Sequence, residues 1–153
     1  MKYPINQILE ETAHRSWDYP NSNWKYYQEW NRALFFHYPV DAKILREFVP
    51  KEIEIDMFDN VAWVSIVAFT MEKIRPRFIP AFAPISDFDE INLRTYVTKN
   101  GKPGVYFLSI EAGKFCSAIL AKSLSGLPYE KSTIIRKANS YQAFNVLDEA
   151  ESW

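Results

Sequence analysis

Apolar and polar positions alternate along most of this chain, and the period changes from segment to segment. Residues 4–14 carry Ile5, Ile8 and Leu9 at helical spacing, with Glu10, Glu11 and Arg15 off that stripe, which predicts a short amphipathic helix. Asp18 to Asn23 is loop composition. From Trp30 to Tyr38 an aromatic run predicts a strand. Trp30, Leu34, Phe36 and Tyr38 fall on one face with Arg32; Asn31, Ala33, Phe35 and His37 fall on the other. Asp41 is a suitable N-cap for a two-turn helix with Ile44, Leu45, Phe48 and Val49 inward, stopped by Pro50. Residues 52–58 alternate with period two. Asp59-Asn60 then offers the positive φ that a two-residue hairpin needs.

Residues 61–74 form a long strand that is apolar on both faces, as expected of a strand buried from two sides. Residues 75–87 hold three prolines, at 76, 80 and 84, and read as a loop of functional length. Strands over 88–98 and 105–111 flank the turn Asn100-Gly101-Lys102-Pro103-Gly104. A helix is expected over 112–125, with Ala112, Phe115, Cys116, Ile119, Leu120 and Leu124 as its stripe and Gly126 as its cap. Thr133–Arg136 is one further strand, after which the pattern is lost.

The sum of these elements is an α+β domain, mostly antiparallel sheet, with about three short helices. The 153 residues fit a single domain over 1–153. The aromatic share of 16% tilts toward sheet and provides material for an apolar pocket. A formal net charge of −1 gives no field for a phosphate backbone, so nucleic acid is not an expected partner. No stretch reaches the ~18 uncharged apolar residues of a membrane span, and residues 1–15 lack a signal-peptide core, so a cytoplasmic location is expected. Cys116 alone cannot form an internal disulfide.

The segment 88–97 carries the most suggestive chemistry. Ile91, Leu93, Thr95 and Val97 share one face; Glu90, Asn92, Arg94 and Tyr96 share the other. A two-residue or four-residue turn at Asn100 puts Phe107, Ser109 and Glu111 on that polar face, and a three-residue turn reverses it. Arg94 is then an anion anchor held by Glu90 or Glu111, with Asn92, Tyr96 and Ser109 as further ligand contacts. The alternative is a solvated outer sheet face. Other residues say less. His37 fits a core histidine and His14 an exposed one. Cys116 sits on an apolar stripe, and Lys114, Lys73, Arg75 and Arg77 read as solvated charge. Two histidines and one cysteine far apart give no metal site, and no phosphate loop or nucleophile elbow occurs, so no cofactor or metal is expected.

The runs VPKEIEIDMFDNVAWVSIVAF, ISDFDEINLRTYV, GKPGVYFLSIEAGK and SGLPY resemble the YqjF-like family of uncharacterised bacterial proteins, within the acetoacetate decarboxylase-like superfamily. The likeness covers about residues 28–138 and leaves 139–153 as an atypical tail. It implies a large curled sheet, a cone or double-layered barrel around a cavity, present here only in part because relatives run longer. It does not bring the decarboxylase lysine pair. Ser117 and Ala118 stand nearest those positions, and Lys114 and Lys122 are displaced from them and lack an adjacent lysine. Three functions follow as expectations. The first is binding of a small, partly apolar, anionic ligand without Schiff-base chemistry. The second is an enzyme on small oxo-acids or carbonyl compounds using Glu90 or Glu111 as acid or base. The third is a structural module that associates with itself through an open sheet edge.

Overall fold

The long two-sided apolar run becomes the central strand of the sheet in the computed structural model, which describes residues 4–15, 17–113, 126–137 and 140–145. The elements in order are α1 (Ile5–Glu10), β1 (Tyr26–Val40), α2 (Ala42–Leu45), β2 (Glu54–Ile55), β3 (Met57–Phe58), β4 (Val61–Pro76), α3 (Ala83–Ser86), β5 (Phe88–Lys99), β6 (Lys102–Ala112), β7 (Tyr129–Lys137) and β8 (Ser140–Asn145). The sheet runs β1-β4-β5-β6-β7-β8, with β2 on β5 and β3 on β4. All pairings are antiparallel except β6 with β7. The helix expected over 112–125 does not begin at Ala112, which is the last residue of β6; residues 114–125 lie outside the described residues.

Both predicted turns form. Asp59 and Asn60 take φ of 50° and 61°, and Phe58 pairs Val61 across them. Asn100 and Gly101 take 53° and 73°, a two-residue turn whose positive φ at both positions suits the right-handed twist of the flanking strands. The single strand expected at 52–58 is broken at Asp56. Its first half pairs β5 and its second half pairs β4, so the chain steps across one strand there.

Each face of β4 has its own core, which explains the absence of a polar side. On one face Val67, Phe69 and Met71 pack with Phe88 and Ala112. On the other, Ala62 packs with Val97 and with Leu45 and Val49 from the α2 segment. Burying a side chain such as Phe69 contributes about 2–3 kcal/mol. Arg46 secures the return from α2 by donating to the carbonyls of Val49, Pro50 and Ile53 at 2.7–2.9 Å. The α2 helix is a single turn, so only Leu45 and Val49 turn inward. Ile44 and Phe48, expected to do the same, are each 62% exposed.

Two bulges change which side chains face which way. The register of β1 against β4 shifts between Asn31 and Leu34, where Arg32 sits at φ 55°. This moves Trp30 off the Leu34 face and onto Phe69, ring to ring at 4.3 Å. The register of β5 against β6 shifts between Leu93 and Arg94, with Leu108 as the extra residue. The far end of the sheet curls back over the near end. Tyr141 of β8 donates to the carbonyl of Glu90 at 2.8 Å, and Arg136 of β7 donates to the carbonyl of Arg32 in β1 at 2.7 Å. The result is a curled half-barrel.

Candidate functional site

The curl encloses a cleft of about 590 Å³. Its floor is the β4 and β5 face carrying Ile66, Ala68 and Ile91, one side is Leu34, Phe36 and Tyr38 of β1, and the β7–β8 hairpin closes over it with Arg136 and Tyr141. These residues come from alternate positions of their strands, as period two requires.

Four polar side chains meet beside this cleft. Arg32 donates to the Thr70 hydroxyl at 2.8 Å, and Arg136 reaches the same oxygen at 3.3 Å. Thr70 in turn donates to Asp89 at 2.6 Å. Two guanidiniums therefore converge on one hydroxyl, whose proton is donated to the single carboxylate of the four, Asp89. The positive φ of Arg32 belongs to the bulge that redirects β1 here, so the local backbone irregularity positions the cation. Burial pushes the Tyr141 phenol well above its ordinary range, and the Asp89 and Glu90 carboxylates add to the shift while Arg136 and Arg32 oppose it. It stays a neutral donor to the carbonyls of Glu90 and Phe69.

The polar residues expected from the sequence divide between the two faces. Glu90 and Asn92 are buried at 2% and 1%, on the face of Phe69 and Val67, so this is no solvated outer surface. Asn92 donates to Glu90 at 3.1 Å and Tyr129 donates to its other oxygen at 3.3 Å. Desolvation raises the Glu90 carboxyl to about 7, against the opposing effect of these two hydrogen bonds. Arg94 lies on the same face, but its guanidinium sits 5.5 Å over the Phe35 ring and makes no ion pair with Glu90 or Glu111 among the described contacts. Tyr96 bonds His37 at 3.2 Å.

Ser109 and Glu111 are not on this face. The turn has the expected two residues, but the bulge at Leu108 pairs Ser109 with Leu93 and Glu111 with Ile91. Both therefore stand on the cleft side of the sheet, where the buried Ser132 hydroxyl donates to Glu111. Arg32 and Arg136 were missed as site residues, although a lone cation inside an aromatic strand marked Arg32 as unusual. Lys114, Cys116, Ser117, Ala118 and Lys122 lie outside the described residues.

Residues 27–151 match the DUF2071 family, an uncharacterised conserved protein. The chain belongs to this family. Among curated relatives, the uncharacterised protein YqjF of Bacillus subtilis (strain 168) is 39% identical over 122 residues, which are 80% of this chain and 50% of YqjF. Solved structures share the fold at lower identity. An acetoacetate decarboxylase matches at TM-score 0.57 and 19% identity, over 80% of this chain and 46% of its own. The enduracididine biosynthesis enzyme MppR, solved with pyruvate, matches at 0.55 and 14%, over 78% and 48%. The acetoacetate decarboxylase of Legionella pneumophila matches at 0.53 and 17%, over 92% and 52%. This DUF2071 chain thus spans about half the length of the relatives it matches and has the acetoacetate decarboxylase-like fold. Among the described residues no helix is long and apolar enough to cross a membrane.

Proposed function

We propose that the chain binds a small carboxylate with an apolar tail in the cleft beneath the β7–β8 hairpin. The convergence of Arg32 and Arg136 on Thr70, whose hydroxyl donates to Asp89, carries this reading. Guanidinium forks match a carboxylate bidentately, and the aromatic wall of Phe36 and Tyr38 accommodates the rest of the molecule. The reading moves the anion anchor from Arg94 to Arg136. The fold shared with MppR, an enzyme solved with pyruvate, supports a short oxo-acid as the class to try first. Acid–base catalysis by Glu90 is less favoured, because its carboxyl projects from the opposite face of β5 to the cleft.

Thermal unfolding in the presence of pyruvate and phenylpyruvate tests the proposal. A ligand at a hundredfold its Kd adds about 2.7 kcal/mol to the native state, which raises Tm by about 5–10 °C for a chain of this size. Arg136→Met should abolish the rise while circular dichroism shows an unchanged sheet. A rise that persists in Arg136→Met, or none with either acid, would refute the cleft as an anion site.

A further inference from the structure

A second hollow, of about 420 Å³, lies on the other face of the sheet and shares no residue with the cleft. Its walls are His37 of β1, Asp56, Met57 and Phe58 of the β2–β3 step, Trp63 of β4 and Tyr96 of β5. Three features bear on what it can hold. The first is the density of aromatic rings. Trp63, Tyr96 and Phe58 bring π-faces, and His37 stacks near Tyr96 with centroids 6.2 Å apart. The second is charge. Among the described residues Asp56 is the only acid of the lining, and its carboxylate makes no hydrogen bond or ion pair with them. The third is position. The break between β2 and β3 falls on Asp56, whose backbone N–H donates to the Tyr96 carbonyl at 3.0 Å, so the main chain that carries this side chain is held against β5 at the hollow.

We propose that this hollow is a binding site for a small organic cation, an alkylammonium, held by the rings of Trp63, Tyr96 and Phe58 and by the Asp56 carboxylate. The lining chemistry excludes the alternatives one by one. An anion would meet Asp56. A neutral apolar ligand would fill the space between the rings but draw nothing from the exposed Asp56 carboxylate. A hard metal ion requires six or more oxygen ligands, and here one carboxylate faces carbon. An alkylammonium satisfies both parts of the site at once, since its charge pairs with Asp56 and its methyl groups lie against ring faces that attract cations. The adjoining hollow, which shares Asp56 and Tyr96, contains Arg15, but that guanidinium is stacked on Tyr19 at 4.1 Å and donates to the Trp17 carbonyl. It does not occupy the position of the ligand.

The test is a titration with choline, and with its uncharged carbon isostere, followed through the Trp63 indole N–H resonance. Trp63→Phe assigns that signal among the five tryptophans. The expected result is a saturable shift with choline and binding of the isostere at least about tenfold weaker, the ratio that about 1.4 kcal/mol of cation–π and ionic attraction produces. Asp56→Asn should weaken choline about fivefold or more. Its melting temperature should not change, because the side chain is exposed and unpaired. Equal affinity for the isostere, full affinity in Asp56→Asn, or an unmoved Trp63 signal would each overturn the proposal.

Discussion

Replacing Glu90 by Gln should make the protein more stable above neutral pH and leave its stability almost unchanged near pH 4.5. The wild-type carboxyl is 2% exposed and is raised from 4.5 to about 7 by burial. Between those values the folded chain keeps a proton that the unfolded chain releases. Stability from this group is therefore full below pH 4.5, is lost as pH rises toward 7, and is flat beyond. At 1.36 kcal/mol per pH unit, the loss is about 3 kcal/mol. A buried glutamine titrates nothing and retains the local partners, since its carbonyl accepts from Asn92 and its amide can donate to the Tyr129 oxygen. Asn92 Oδ1, buried without a partner among the described residues, fits the same picture. Turning that amide over places the oxygen where a protonated Glu90 can donate to it. Urea unfolding of both proteins from pH 4.5 to 8 measures the effect, and subtracting the curves removes every other titrating group, including Glu29, whose carboxyl is held low by its Tyr27 hydrogen bond. Parallel curves, with no pH-dependent gap, would refute the burial argument.

The backbone gives two further expectations. Gly101→Ala places a Cβ at φ 73° in the β5–β6 turn and should cost about 1–2 kcal/mol in urea unfolding, although nothing crowds that Cβ. Arg46→Met should cost about 2 kcal/mol, because three loop carbonyls lose a charged donor together; native-state hydrogen exchange should show the loosening concentrated over residues 46–55.

Local pattern carried the strands far better than it carried their facing. β4, β5 and both two-residue turns were legible because alternation and positive-φ residues are properties of adjacent positions. The facing of Trp30, Ser109 and Glu111 was not. Each lies past a bulge, and one extra residue inverts parity without leaving a mark in hydropathy. β8 was missed because Tyr141 and Phe144 fall on opposite parities, so no period appears, and its pairing with β7 supplies the order. The Arg32–Arg136 convergence depends on contacts between residues 104 positions apart. No local signal encodes a curl of that range. The chemistry the sequence did advertise, Glu90 and Asn92, is real and buried, but it faces away from the cleft.

β5 is a wall with a room on each side. Ile91 faces the cleft, and Tyr96, of opposite parity, faces the aromatic hollow. Point substitutions along it can thus tune one compartment and spare its opposite. A single-residue insertion or deletion between Ile91 and Tyr96 would do the reverse, inverting the parity that separates them and disturbing both rooms in one step, so length variation in this strand should be far rarer among functional descendants than change of residue type.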